Sequence, residues 1–145
     1  MESHEIFSAL AIYPPVFLRL DGRSFHRLTR TCEKPFDARF HAAMTGTCRR
    51  LLAGSGLNPL FAYTFSDEIN LYCTVLPFGG RVEKLDSVAA SYAASALTLE
   101  YGSDEPIAVD SRVVPATPDY AREYLALRQD EARQVLHQTP ASSWT

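Results

Sequence analysis

The order of its short apolar runs constrains the fold of this chain more than any other feature. Four runs have the length and composition of strands, and two longer segments repeat their apolar residues at helical spacing. In chain order they are a strand at 16–20, a helix introduced by Pro35 and Asp37 and ended by Gly54 and Gly56, strands at 61–65 and 69–75, a helix from about 81 to 99 and a strand at 107–114. This β-α-β-β-α-β order is that of the ferredoxin-like fold. The sequence therefore predicts an α+β domain in which helices cover one sheet.

A third helix is predicted after the last strand. Thr117 and Pro118 begin it, because proline is favoured at the first helical position, and it runs to about Gln138. The 145 residues, 46% of them hydrophobic, are enough to bury one sizeable core. We find no repeat, low-complexity tract or long linker, so residues 1–145 are expected to form a single domain.

Acidic residues follow the first strand and join the second strand to the third. Asp21 comes after the first run, and Ser66, Asp67 and Glu68 separate the next two, which makes a hairpin. Right-handed crossovers make strand one parallel to strand two, with strand three antiparallel between them. The end of strand one and the tip of the hairpin then share one edge of the sheet. We therefore expect Asp21 and Asp67 to lie side by side.

Two carboxylates at one sheet edge suit a magnesium site. Mg²⁺ usually takes one or two carboxylates and leaves its other positions to water and phosphate oxygens. Asp21, Asp67 and the carbonyl of Gly22 supply ligands of that kind, and Glu68 could assist or point to solvent. Two such ions can activate a hydroxyl and neutralise a leaving phosphate. The alternative is that Asp-Gly and Ser-Asp-Glu are only turn residues, since Asp and Gly are common in turns.

The segment after the first carboxylate is basic. Residues 19–34 hold five basic and two acidic residues in a chain of net charge −3, so any anion site is local. Five residues of this segment could bind phosphates: Arg23, His26, Arg27, Arg30 and Lys34. A solvated basic surface is the alternative, with His26 a structural histidine and Phe25 a core residue.

The second predicted helix begins with cations, where the helix dipole disfavours them. Arg81 and Lys84 occupy its first turn. Exposed backbone N–H groups at a helix start bind anions, and added cations strengthen such a site. We interpret this pair as a second triphosphate-binding candidate; the alternative is a tolerated pair of surface cations.

Composition indicates a reduced, cytosolic protein. The three cysteines are odd in number and lack C-x-x-C spacing. No apolar run approaches the ~20 residues needed to span a membrane, and no signal-peptide pattern opens the chain. The net charge of −3 argues against a protein that coats nucleic acid by charge alone.

The motifs resemble those of the tRNA-His guanylyltransferase family, especially its archaeal-type and guanylyltransferase-like members. The matching blocks are EIFS at 5–8, RLDGRSFHR at 19–27, EKPFD at 33–37, FAYTFSDE at 61–68, GRVEK at 80–84, DSRVV at 110–114 and YLALRQ at 124–129. So many blocks in one order are specific, whereas a single short motif would not be.

The resemblance implies a polymerase-like palm domain that extends RNA in the reverse, 3′-to-5′, direction. Family members activate a tRNA 5′ end with a nucleoside triphosphate, and the 3′-hydroxyl of an incoming GTP then attacks it, with two Mg²⁺ ions per site. By motif, Asp21, Gly22 and Asp67 would bind metal, and Asp21, Asp67 and Glu68 would be catalytic. The nucleotide-binding residues would be Asp21, Gly22, Arg23, Ser24, Phe25, His26, Lys34, Ser66, Asp67, Arg81 and Lys84.

The chain departs from the family near its end. After Arg128 and Gln129 the usual polar Asn-containing motif is replaced, and the sequence ends before the substantial C-terminal region that helps relatives engage tRNA. We expect either a catalytic-domain fragment or a minimal form. We therefore expect GTP, ATP and tRNA as partners of a nucleotidyltransferase that adds G or templated nucleotides. The alternatives are a palm-type nucleotide-binding module without turnover and a nucleotide cyclase-like enzyme. The resemblance also implies a dimer or tetramer, to which the apolar segment 6–13 could contribute.

Overall fold

The computed structural model describes residues 4–23 and 37–117, residues 119, 122, 123 and 126, and the backbone of Gln134–His137. The helices and strands are β1 (Val16–Arg23), α1 (Asp37–Gly54), β2 (Phe61–Phe65), β3 (Glu68–Cys73), α2 (Val82–Tyr101), β4 (Ala108–Pro115) and β5 (Gln134–His137), with a 3₁₀ turn at Phe78–Gly80 before α2.

The strands form one sheet in the order β4-β1-β3-β2-β5, and each neighbouring pair is antiparallel. Because β3 lies between β1 and β2 and is antiparallel to both, β1 and β2 run in the same direction. This is the predicted ferredoxin-like arrangement, and the prediction of an α+β fold is confirmed. The β-α-β-β-α-β part of the sheet is extended by β5, which the sequence did not predict.

One face of the sheet packs against α1 and α2. Successive side chains of a strand point to opposite faces, and Leu18, Leu20 and Leu71 are buried on the helix side. The buried alanines of α2, including Ala89 and Ala93, let that helix approach the sheet closely. Small buried residues of this helix thus pack against the sheet.

The opposite face carries an aromatic cluster and a charged region. Phe17, Phe61, Tyr63 and Tyr72 are buried together, and the Phe17 and Tyr72 rings are 5.0 Å apart between centroids. Further along β1, the same face presents Asp21 and its neighbours, because every second residue of a strand shares a face. This charged end of the face lies next to the hairpin between β2 and β3.

The first strand is longer than predicted. The Asp-Gly pair was expected to end it, but β1 continues to Arg23, which pairs with Ala108 of β4. Asp21 and Gly22 are therefore strand residues, and the interpretation of this pair as a turn was wrong. Pairing on both sides, with β3 and with β4, supplies backbone partners that outweigh the local turn preference.

The hairpin is tighter than predicted, and β3 is shifted. Only Ser66 and Asp67 separate β2 from β3, and Ser66 has a φ of 55°, a left-handed conformation. The third strand begins at Glu68 and ends at Cys73, whereas the predicted range was 69–75, and Val75 lies beyond the end of the strand and is 66% exposed.

The end of the chain differs from the predicted third helix. Residues 119, 122, 123 and 126 are helical, but Gln134–His137 form β5, so the predicted helix is wrong at 134–137; the other residues of 118–138 lie outside the described residues. This strand pairs with β2, from Phe61 opposite His137 to Thr64 opposite Gln134. The open edge of β2 offers backbone hydrogen-bond partners that helical periodicity in the sequence does not reveal. In the part of the chain that is described, no helix has the length and apolarity to cross a membrane.

Candidate nucleotide and metal site

The end of β1 and the tip of the β2–β3 hairpin meet, as the topology predicted. The backbone N–H of Gly22 donates a hydrogen bond to the carbonyl of Asp67 at 3.2 Å, and Asp21 lies opposite Glu68 in the register. Asp21 and Asp67 are both partly exposed. The structure thus brings the two predicted carboxylate residues to one solvent-facing edge.

The Asp21 carboxylate is held by two arginines. Its Oδ2 atom accepts a hydrogen bond from Nη1 of Arg112 at 2.8 Å and lies 3.5 Å from Nε of Arg19. The Arg112 guanidinium also lies 3.6 Å from Oδ1 of Asp110. These neighbours neutralise Asp21 and set the orientation of its carboxylate on the sheet face opposite the helices.

Glu68 does not point to solvent. The residue is only 4% exposed, its Oε1 lies 2.6 Å from Nε of Arg19, and its Oε2 accepts a hydrogen bond from Nδ2 of Asn70 at 2.7 Å. Both of its oxygens therefore have partners within the sheet. Through Arg19, which also contacts Asp21, Glu68 supports the orientation of the neighbouring carboxylate.

The oxygen donors at this edge fit Mg²⁺ in chemical kind. Asp21 and Asp67 offer carboxylates and Gly22 offers a carbonyl, all hard donors without a thiolate or imidazole. Among the residues that the structure describes, no cluster of three or more His, Cys, Asp or Glu side chains could hold a metal ion. The donors of Asp21, Asp67 and Gly22 therefore suit an ion that completes its coordination with phosphate and water.

Two of the other predicted nucleotide-binding residues, Arg23 and Ser66, lie in the described part of this edge. Ser24, Phe25, His26 and Lys34 lie outside the described residues, and their roles stay predictions. Arg23 is exposed at the end of β1. Ser66 is exposed in the hairpin, next to Asp67.

The start of α2 lines a separate cleft. Arg81 is the N-cap residue and makes no side-chain capping hydrogen bond, and Lys84 follows in the first turn. Both are exposed. The cleft has a volume of about 720 Å³ and lies between α2, β4 and the N-terminal segment, from which Glu5 and Ser8 contribute. The two predicted cations therefore lie in an open space large enough for a triphosphate.

Two acidic residues that the sequence motifs did not single out as site residues also line this cleft. Asp86 and Asp110 line it together with Ser111. Burial raises the pKa of the Asp86 carboxyl above its ordinary value, and the Ser111 hydroxyl, which donates to Oδ1 of Asp86 at 3.0 Å, lowers this pKa in part. Apart from the resemblance of block 110–114, no local sequence signal indicates the contact of Ser111 with Asp86 or that of Arg112 with Asp21. Both contacts depend on how β4 packs.

Solved structures with the same fold include bacterial proteins with bound nucleotides. The chain matches a bacterial tRNA(His) guanylyltransferase (Thg1)-like protein in complex with ATP, with a TM-score of 0.77 and 28% identity over 90% of this chain and 63% of that chain. It matches such a protein in complex with GTP with a TM-score of 0.74 and 27% identity, over 90% of this chain and 64% of that chain.

Two further matches extend the comparison. The tRNA(His) guanylyltransferase of Saccharomyces cerevisiae shares the fold, with a TM-score of 0.66 and 20% identity over 88% of this chain and 62% of that chain. An uncharacterized protein of Acanthamoeba polyphaga mimivirus is 38% identical over 88 residues, which is 52% of this chain and 30% of that protein. The chain thus spans less than two thirds of the length of each of these proteins.

The family assignment follows from the sequence as a whole as well as from the fold. The family model described as tRNAHis guanylyltransferase matches residues 1–118 of the 145. The matched region includes β1, the hairpin and the start of α2, which form the two candidate sites. This chain belongs to the tRNAHis guanylyltransferase family.

Proposed function

We propose that this protein is a Mg²⁺-dependent nucleotidyltransferase that adds G, or templated nucleotides, to tRNA 5′ ends in the 3′-to-5′ direction. The observation that carries the proposal is the meeting of Asp21, Gly22 and Asp67 at one edge of the sheet. Family membership and the nucleotide-bound bacterial structures support it.

In this proposal Asp21 and Asp67 hold two Mg²⁺ ions together with the carbonyl of Gly22. The ions, when bound, stabilise charge on the phosphates and lower the pKa of the attacking hydroxyl. The chain itself orients the ligands: Arg19 and Glu68 fix the face on which Asp21 lies, and the Gly22–Asp67 hydrogen bond fixes the hairpin against β1. Glu68 acts here through Arg19, so we assign it a supporting role.

The incoming nucleotide would lie along the end of β1 and the hairpin. Its proposed contacts are Asp21, Gly22, Arg23, Ser24, Phe25, His26, Lys34, Ser66 and Asp67. The exposure of Arg23 and Ser66 beside the carboxylates agrees with this assignment.

The activating nucleotide, ATP or GTP, would place its triphosphate at the start of α2. Arg81 and Lys84 supply cations there, and no side chain caps the helix. The cleft of about 720 Å³ gives the phosphates access.

We further propose a homo-oligomeric, cytoplasmic, archaeal-type enzyme that engages tRNA. The N-terminal segment supports the oligomer, because it exposes Ile6, Phe7, Leu10 and Tyr13, the last of which is 90% exposed. Light scattering on the purified protein tests this; a monomer at working concentration contradicts it.

A nucleotide-binding module without turnover is the second candidate function. The bacterial structures that the chain matches hold ATP and GTP, which agrees with nucleotide binding, and the chain spans 63% and 64% of their length. A cyclase-like enzyme is a further alternative of the palm class.

Extension of tRNA that lacks its 5′ nucleotide tests the proposal. Triphosphorylated and monophosphorylated forms are each incubated with GTP, ATP and Mg²⁺, with Asp67→Ala in parallel. Extension by the unsubstituted protein, but not by Asp67→Ala, supports the polymerase function. Extension of the triphosphorylated tRNA, but not of the monophosphorylated tRNA, would show that the protein is defective in activating the 5′ end. Mg²⁺-dependent GTP binding without product supports the binding module, and a cyclic nucleotide formed without RNA supports the cyclase.

A further inference from the structure

Five charged side chains form a cluster at the end of β1, on the face opposite the helices. They are Arg19, Asp21, Glu68, Asp110 and Arg112. We call this group the β1 charge cluster. Three carboxylates and two guanidinium groups leave it one negative charge in excess, and Asp21 lies between both arginines. The proposed metal ligand is thus already paired with cations of the protein.

The two arginines of the β1 charge cluster are held differently. Arg19 is 37% exposed and lies 2.6 Å from the carboxylate of Glu68, whose side chain is only 5% exposed. Arg112 is 61% exposed, and besides Asp21 it has a second carboxylate, that of Asp110, at 3.6 Å. Arg112 can therefore leave Asp21 and still keep a carboxylate partner on its own strand, whereas Arg19 is anchored.

We propose that Arg112 is a displaceable counter-ion of Asp21. Its guanidinium neutralises Asp21 in the absence of a divalent cation and transfers to Asp110 when a cation binds. This inference rests on the proposed function, because it takes Asp21 as a ligand of the cation. Arg112 is then a positioning residue that acts through Asp21 and does not touch the reacting atoms.

The physical reason is competition for one oxygen atom. The guanidinium at 2.8 Å occupies Oδ2 of Asp21, and a divalent cation on that carboxylate would repel it. Asp110 offers compensation close by, so the guanidinium does not have to return to water unpaired. Because Arg112 is largely exposed, solvent and salt screen the interaction, and its effect on cation affinity is moderate.

Cation binding without nucleotide or RNA measures this competition directly. Mn²⁺ alone is titrated into the full chain, and free Mn²⁺ is followed by electron paramagnetic resonance. Arg112→Gln is expected to bind Mn²⁺ about two- to five-fold more tightly, and Arg112→Lys, which keeps the charge, to stay near the natural affinity. A purely structural role predicts the opposite sign, since a disturbed site binds more weakly.

Asp110→Asn provides an independent variant with the opposite expected effect. It removes the second partner of Arg112, so Mn²⁺ affinity should fall about two- to five-fold. In the Arg112→Gln background the same substitution should have a clearly smaller effect, because no guanidinium remains to transfer. Unchanged or weaker affinity in Arg112→Gln, or an equal effect of Asp110→Asn in both backgrounds, overturns the proposal.

Asp21→Asn and Asp67→Asn separate this inference from the proposed function. Loss of Mn²⁺ binding in both shows that the titration reports the intended site. If Mn²⁺ binding by the unsubstituted protein does not depend on Asp21, both the proposed metal site and the proposed counter-ion role of Arg112 are overturned. Asp21-dependent Mn²⁺ binding that responds to Arg112 as expected, with no extension of tRNA, supports the counter-ion and overturns only the polymerase activity.

Discussion

Gly22 and Asp67 are joined through their backbones, at 3.2 Å between the amide nitrogen and the carbonyl oxygen. This hydrogen bond holds the tip of the β2–β3 hairpin against the end of β1. It involves no side chain, so substitution of the Asp67 carboxylate leaves it available. The hairpin position and the chemistry of its carboxylate are therefore separable by mutation.

Asp67→Ala and Glu68→Ala should therefore differ in their effects on extension activity and on the free energy of unfolding. Asp67→Ala is expected to reduce extension of triphosphorylated tRNA by about 100-fold or more, since even outer-shell partners of a metal contribute about 10- to 100-fold. Its unfolding free energy should change by no more than about 0.5 kcal/mol, because the residue is partly exposed in a turn.

Glu68→Ala is expected to destabilise the fold itself. It removes the acceptor for Asn70, which is fully buried, and the partner of Arg19, at a cost of about 1–3 kcal/mol. Chemical denaturation of the two variants checks the contrast. Equal stability of both would show that Glu68 is not a structural anchor.

Lys84→Gln should raise the KM for ATP in the activation of monophosphorylated tRNA and leave extension of triphosphorylated tRNA unchanged. The reason is that Lys84 lines the cleft at the start of α2, apart from the carboxylate edge. Glu83→Gln is the matched control, because it also lies exposed in the first turn but removes a negative charge. A similar rise in KM for both variants would indicate disturbance of the helix start rather than loss of a phosphate contact.

Leu71→Ala should lower the unfolding free energy by about 2–5 kcal/mol, the usual cost of a cavity at a fully buried leucine. Leu71 lies in β3, the central strand, where α1 and α2 cover the sheet. Val75→Ala is the control, since Val75 is 66% exposed and its truncation should cost no more than about 0.5 kcal/mol. Urea denaturation compares the two, and similar losses would contradict the described core.

Stability should depend on pH through Asp86. Burial raises the pKa of its carboxyl in the folded state, so the folded state binds the proton more tightly than the unfolded one. Stability therefore falls as pH rises from the ordinary carboxyl pKa to the raised one and then stays constant. Asp86→Asn should be more stable than the natural sequence at neutral pH, and this advantage should vanish in acid.

Ser111→Ala provides the matching control for this pH dependence. The Ser111 hydroxyl donates to Asp86 and lowers its pKa in part, so removing it should raise that pKa further and widen the pH range of the stability loss. Thermal unfolding followed across acidic to neutral pH measures both variants. An Asp86→Asn advantage that is the same at every pH would contradict the assignment.

The sequence by itself determined that the end of β1 lies beside the tip of the β2–β3 hairpin. The order of apolar runs and the fixed hand of crossover connections leave one arrangement, in which the end of β1 lies beside the hairpin. The start of α2 was also located correctly to within one residue, because the Gly79–Gly80 pair before it is a local signal. These features depend on short-range pattern and chirality.

Only the tertiary structure decided the rest. Arg112 is 91 residues from Asp21 in the chain, and their contact exists because the register of β4 against β1 places them on the same face. Pairing with β3 and β4 likewise carries β1 through its Asp-Gly pair, and pairing with β2 makes Gln134–His137 a strand. Long-range backbone pairing overrides local preference in each case, and no local signal in the sequence specifies it.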